Sequence, residues 1–146
     1  MEKRDEFGNL IYYKDAKGFE FWHDYDQNGN EVHFKASTGY EIWREYDTNN
    51  NCVYFKRSDG TENWREYDAN NNEIHYKGSD GFEIWREFDS NNNQVHYLNS
   101  KGFEIWQEYN EDDKIVHYKD STGYEYWKDY YPNGDIVTIE RTNGKV

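Results

Sequence analysis

Six tryptophans, Trp22, Trp43, Trp64, Trp85, Trp106 and Trp127, stand 21 residues apart with no exception. A fixed period of this length marks a repeat array, in which each unit packs against its neighbours instead of around one shared centre. Glycines keep the same phase at Gly18, Gly39, Gly60, Gly81, Gly102 and Gly123, and glutamates at Glu20, Glu41, Glu62, Glu83, Glu104 and Glu125. Upstream, Ile11, Tyr12 and Tyr13 are in phase with Val32, His33 and Phe34. The chain reads as one repeat domain over 1–146. A half repeat, 1–17, precedes full repeats at 18–38, 39–59, 60–80, 81–101, 102–122 and 123–143, the last including a closing cap.

Within a repeat, "GFEIWREFD" and "NQVHYL" are too short and too rich in β-formers for helices, and "DSNNN" between them holds residues that tolerate left-handed backbone. Each repeat is therefore a β-hairpin. A second turn, such as "GSDG" at 78–81, joins it to the next. The expected fold class is all-β: an antiparallel meander of about thirteen short strands in a single twisted or curled sheet. Alternation puts Phe82, Ile84, Arg86 and Phe88 on one face and Glu83, Trp85 and Glu87 on the other. On the returning strand it groups Val95 with Tyr97, and Gln94 with His96 and Leu98. The expected core is the aromatic and aliphatic stripe of Phe19, Tyr40, Phe82, Phe103 and Tyr124 with Ile42, Ile84 and Ile105 and the tyrosines Tyr25, Tyr46, Tyr67, Tyr109 and Tyr130.

The units, "GFEFWHDYDQNGNEVHFKAST" and its neighbours, resemble the YD repeats of Rhs and teneurin-type proteins. The likeness runs through Tyr25-Asp26, Tyr46-Asp47 and Tyr67-Asp68, the variant Phe88-Asp89 and the altered Tyr109-Asn110. It implies hairpins joined into a long spiralling sheet that forms a shell. The Glu-x-Trp signature is not a general mark of that family. Choline-binding repeats are a weaker match.

Thirty acidic residues face seventeen basic ones, a net charge of −13. Such a surface repels phosphate backbones and anionic lipid and attracts basic proteins, so neither nucleic acid nor membrane is an expected partner. Low hydrophobicity with high charge ordinarily signals disorder, but six Trp, fifteen Tyr and eight Phe argue for a folded array. The N-terminus has no apolar run of the signal-peptide kind, which points to the cytoplasm. The lone Cys52 takes the place of Glu31, Glu73 or Gln94 in sister repeats, so it is expected on an exposed face and in no internal disulfide.

Motifs for chemistry are weak. "DYDQNG", 24–29, begins like an EF-hand loop, but Lys35 occupies the position where a bidentate Glu is needed. His33, His75, His96 and His117 form a ladder whose neighbours lie about 9.6 Å apart, too far to share a zinc ion. Nearly every Glu and His belongs to such a ladder, whereas an active site needs a singular constellation. No catalytic residue, metal or cofactor is expected. The acids flanking each Trp can pair with the basic row Arg44, Arg65, Arg86 and Lys128, or with Lys35, Lys56, Lys77 and Lys119 on the returning strands.

The third full repeat departs from its sisters. Thr61 replaces an aromatic and Asn63 an aliphatic or aromatic residue, which means either relaxed packing or a polar recognition site. The last repeat has Tyr131 where others have Asp, and Pro132 in its turn, as suits a cap. Three readings of function follow. The first is a non-enzymatic module that binds a basic protein, as an immunity protein occluding a secreted bacterial toxin would. Its contacts would come from Trp43, Trp64, Trp85 and Trp106 with Glu41, Glu62, Glu83 and Glu104, and from Thr61 and Asn63. The second is carbohydrate stacking on the Trp ladder. The third is a structural fragment that self-associates, as a homo-oligomer, through its exposed edge strands.

Overall fold

The computed structural model describes residues 1–143, and no helix occurs among them. Fourteen strands follow one another in sheet order as in chain order, all joined as an antiparallel meander. They are β1 (Glu2–Arg4), β2 (Leu10–Lys14), β3 (Glu20–Tyr25), β4 (Glu31–Ala36), β5 (Glu41–Tyr46), β6 (Cys52–Arg57) and β7 (Glu62–Tyr67). Then come β8 (Glu73–Gly78), β9 (Glu83–Phe88), β10 (Gln94–Asn99), β11 (Glu104–Tyr109), β12 (Ile115–Asp120), β13 (Tyr124–Tyr130) and β14 (Ile136–Asn143). The all-β hairpin meander expected from the repeat is the fold. The strand beyond the expected thirteen is β1, the remnant of the outgoing strand of the half repeat, and it pairs with β2. Residues 144–146 of the expected domain lie outside the described residues, as do the side chains of the closing strand from Thr138 on. The chain divides into two compact units, one of 1–67 with 77–80, the other of 68–76 with the residues from Gly81 on.

The turns of the six long hairpins share one backbone plan. In the first, the Asp26 carbonyl accepts the Gly29 N–H, the Asp26 N–H donates to Asn30, and Gly29 is left-handed at φ 83°. The Asp26 carboxylate accepts the N–H groups of Asn28 and Asn30 at 2.9 Å each, and the Asn30 amide donates to it as well. The same cage recurs at Asp47, Asp68 and Asp89. Later repeats replace the left-handed glycine with Asn50, Asn71, Asn92 and Asp113. A side chain there strains the backbone, but it reaches an adjacent hairpin: Asn50 accepts from Asn30, Asn92 from Asn72 and Asp113 from Asn93, at 2.7–2.9 Å.

The hairpins β3–β4, β5–β6, β9–β10, β11–β12 and β13–β14 each carry a β-bulge just after the turn, and the bulge shifts the side chains that follow. Tyr25 pairs with Glu31 and Asp24 with His33, so Val32 is the extra residue. In β10, Gln94 pairs with Phe88 and His96 with Glu87. Gln94 therefore lies on the Phe88 face, not with His96 as strict alternation implies. The bulge also moves Cys52 opposite Tyr46, where it is half-buried with its thiol 3.3 Å from the Tyr54 carbonyl. Cys52 is thus not on an exposed face, and burial pushes its thiol up from the ordinary range.

The tyrosine that ends the outgoing strand braces this bulge in five hairpins, three of them at a Tyr-Asp pair. Tyr25 donates its hydroxyl to the Leu10 carbonyl, Tyr46 to Glu31, Tyr67 to Cys52, Tyr109 to Gln94 and Tyr130 to Ile115, at 2.8–3.4 Å. The acceptor is always the residue 15 positions earlier, at the start of the preceding returning strand. Tyr-Asp is therefore two devices in sequence: a hydroxyl that ties one hairpin to the last, and a carboxylate that closes its own turn. A serine row extends the pairing, since the Ser37, Ser58, Ser100 and Ser121 hydroxyls accept the N–H groups of Glu20, Glu41, Glu83 and Glu104.

The expected core stripe is not buried as a core. Among the described residues no large side chain is fully enclosed, Ala36 is the one buried apolar residue, and Phe19 and Tyr40 remain 39% exposed. The physical reason is that within each unit a strand touches only its neighbours in the sheet, so no second layer of the same unit covers either face. Cohesion comes instead from ring contacts along the sheet, such as Tyr13 on Phe21 at 4.9 Å and Tyr118 on Tyr126 at 5.1 Å.

Candidate functional site

The tryptophans project from the face opposite the aromatic stripe, each beside a ring on the preceding returning strand. The register pairs His33 with Trp43, Tyr54 with Trp64, His96 with Trp106 and His117 with Trp127. The histidine rings lie nearly parallel to the indoles, with centroids 5.3 Å apart for His33 and Trp43 and 4.8 Å for His117 and Trp127. One indole face is thus covered by the sheet's own ring. Trp64, Trp85 and Trp106 stay 39–40% exposed, while Trp43 is half-buried.

The two acids that flank each Trp have different surroundings. The first row is held by the sheet. Glu41 meets the Lys35 ammonium at 2.7 Å and His33 Nε2 at 3.2 Å, and Glu62 meets Lys56 at 2.6 Å. Glu83 lies against His75 Nε2, and Glu104 against His96 Nε2 at 2.8 Å. The hydrogen bond from Lys35 holds the Glu41 carboxyl below the usual carboxylate range, and that from Lys56 does the same for Glu62. Of the two basic rows that could pair with these acids, the row on the returning strands does so, through Lys35 and Lys56. The arginines are on the other face: Arg44 pairs with Glu31, and Arg86 with Glu73 at 2.5 Å.

The second row, two residues past Trp, stands out from the sheet. Side chains of Asp24, Glu87 and Glu108 are 71–73% exposed and lie 3.1–3.5 Å from the Nδ1 atoms of His33, His96 and His117. Glu45 and Asp129 are exposed as well. Composition and spacing gave no means of separating the two rows. The signal that could have done so is the lysine two residues after His or Tyr on the returning strand, which the register sets opposite Trp and beside the first acid but not the second.

Thr61 and Asn63 are not brought together into one exposed patch. Thr61 is exposed and near Arg57, whose guanidinium also grips Asp59. Asn63 is on the aromatic face opposite Phe55, 8% exposed, and its side-chain oxygen has no hydrogen-bond partner. In the second unit, Trp106, Glu108, His117 and Lys119 line an open groove of about 330 Å³.

No protein-family model matches the sequence, and no curated protein matches it. Solved structures are similar in fold. The TcdB2-TccC3-Cdc42 crystal structure superposes with a TM-score of 0.69 at 16% identity, over 97% of this chain and 9% of that one. The TcdB2-TccC3 structure gives 0.68 at 15% identity, over 99% of this chain and 9% of that one. The chain therefore spans about a tenth of the length of these neighbours, and the likeness is one of fold. It supports the YD/Rhs-like hairpin repeat that the Tyr-Asp pairs resemble.

Proposed function

We propose that the chain is a non-enzymatic binding module, related in fold to toxin-associated YD repeats, whose tryptophan face engages a basic protein. The observation that carries the reading is the split between the two acid rows. The sheet pairs Glu41 and Glu62 of its first row with its own lysines, hydrogen-bonds Glu104 to His96, and leaves Asp24, Glu87 and Glu108 largely in solvent beside half-exposed indoles. Exposed carboxylates steer a cationic surface into register, and the indole faces then supply the desolvated anchor. The first-row acids Glu41, Glu62, Glu83 and Glu104 have a different role: they hold lysine and histidine in place and set the indole geometry.

The partner this chemistry favours is a basic toxin domain such as a nuclease, with the module acting in the cytoplasm as an immunity protein that blocks the cationic substrate groove by stoichiometric occlusion. The fold likeness to TcdB2-TccC3 supports a toxin-related setting. Co-purification from the source cell, followed by titration of the captured protein's activity, tests this. Inhibition that saturates at equal amounts of the two proteins is the expected result. A captured partner with an acidic surface, or none whose activity changes, would sink the proposal.

One observation favours a second reading. The groove at Trp106, Glu108, His117 and Lys119 offers an indole platform beside both an acceptor and a donor, which is what a sugar ring requires. Glycan binding that survives high salt and is lost in Trp106→Ala would support it.

A further inference from the structure

We infer that the rung formed by Glu45, Tyr54 and Trp64 is a seat for one primary ammonium group, the side chain of a lysine on the basic partner. The inference rests on the function proposed for the tryptophan face and adds where on that face the cation sits. Three neighbouring strands build the rung. The register sets Glu45 of β5 opposite Tyr54 of β6, and Tyr54 opposite Trp64 of β7. The phenol and indole centroids lie 5.6 Å apart with the rings inclined at 39°, and Trp64 is 40% exposed. Glu45 is exposed and makes no hydrogen bond or ion pair among the described residues. Lys56, next along β6 on the same face, is bound to Glu62 at 2.6 Å and is neutralised there.

Sister rungs are closed by histidine. The two ring nitrogens of His33 face Asp24 at 3.1 Å and Glu41 at 3.2 Å, and the imidazole lies at 18° to the Trp43 indole. His117 clasps Glu108 and Glu125 in the same way, its ring within 7° of parallel to Trp127. An imidazole has a nitrogen for each acid, whereas a phenol has one polar atom at its tip, so the exchange of His for Tyr54 leaves Glu45 unclasped. The half repeat shows what a tyrosine rung holds. Tyr12 pairs with Trp22 as Tyr54 pairs with Trp64, the rings 5.7 Å apart and inclined at 46°. Opposite Tyr12, two periods before Glu45, stands Lys3, and its ammonium lies over the Tyr12 ring, 5.4 Å from the centroid. A cation at this range is attracted by the negative face of the ring. Over Tyr54 no cation of the described residues is placed, and a carboxylate stands where Lys3 does. The rung thus offers an ammonium the same ring face together with a countercharge.

Titration of the isotope-labelled chain with n-butylammonium chloride at constant ionic strength, followed through the indole N–H resonances, tests the seat. The expected result is a saturable shift of the Trp64 resonance, severalfold larger than that of Trp22, whose rung Lys3 serves, or of Trp43, with n-butanol giving none. Glu45→Gln should weaken binding roughly fivefold. Tyr54→His, which installs the sister rung, should reduce the Trp64 shift to the level of Trp43. Glu45 is exposed and histidine is the residue that sister repeats carry, so neither change should alter the circular dichroism spectrum. Equal shifts of all indoles, or a Trp64 shift that persists in full in both variants, would overturn the inference. Partner binding that Tyr54→His leaves untouched would overturn the seat and keep the function proposed for the face. Butylammonium binding at Trp64 in a chain that captures no basic protein would support the seat and sink that function.

Discussion

Replacing Asn63 by isoleucine should stabilise the protein. Asn63 occupies the position held by Ile42, Ile84 and Ile105 in sister repeats, is 8% exposed, and leaves its side-chain oxygen without a hydrogen-bond partner. An unsatisfied buried polar group of this kind costs about 1–3 kcal/mol. Isoleucine removes that cost and adds apolar burial. Its larger volume carries an overpacking risk of about 1–3 kcal/mol in a tight core, but the same side chain fits three equivalent rungs of a single-layer sheet, so the strain here falls at the low end. The net expectation is a gain of about 2 kcal/mol, or a rise in Tm of about 4–8 °C for a domain of this size. Urea and thermal unfolding followed by circular dichroism at several salt concentrations measure it, with Asn63→Ala as the comparison that removes the amide without adding bulk. Equal or lower stability of Asn63→Ile, with Asn63→Ala also destabilised, would show that the amide is satisfied in solution and that the reasoning fails. A stable Asn63→Ile variant that no longer binds its partner would move Asn63 from packing to recognition.

Three further outcomes follow from the hairpin architecture. Tyr109→Phe removes the hydroxyl bond to the Gln94 carbonyl and keeps the ring, so it should cost about 0.5–1.5 kcal/mol in urea unfolding; no change would mean the tie between hairpins carries no stability. Asp89→Ala deletes the acceptor of the Asn91 and Asn93 N–H groups, and hydrogen exchange of those two amides should accelerate by an order of magnitude while amides of β12 hold. The Thr61 N–H and then Arg57 lower the Asp59 carboxyl from 3.8 to about 2. A depressed carboxyl stabilises the fold above its unfolded value and loses that contribution as pH falls through the folded one, so the urea midpoint should drop between pH 4 and pH 2. In Asp59→Asn that drop should be smaller, and an identical pH profile would count against the assignment.

Much of the fold was legible because the period is unbroken. Trp every 21 residues fixed the hairpin unit, and the glycines and Asn-rich runs located both turns. Alternation correctly separated Phe82, Ile84 and Phe88 from Glu83, Trp85 and Glu87. It failed on the returning strand because the bulge at Val32 and its counterparts inserts one residue, which no local composition announces. The same shift carried Glu31 and Glu73 to the arginine row and Cys52 into partial burial. Core prediction failed for a different reason: periodicity tells which side chains share a face, but whether anything lies on that face is not a property of one strand. The split of the flanking acids into a bound and a free-standing row was likewise invisible in spacing. It arises from cross-strand register, which sets Lys35 opposite Trp22 and beside Glu41.

The central claim is that the outer acid row, not the inner one, steers a basic partner onto the tryptophan face. Stopped-flow association rates with the captured partner, taken at low and high salt for two charge-matched triple variants, test it most directly. Glu45→Gln, Glu87→Gln, Glu108→Gln should slow association at low salt by roughly tenfold, within the range electrostatic steering provides, and the difference should vanish at high salt. Glu41→Gln, Glu83→Gln, Glu104→Gln should leave the association rate nearly unchanged and lower stability instead. Equal slowing by the two variants, or none by the first, would contradict the account.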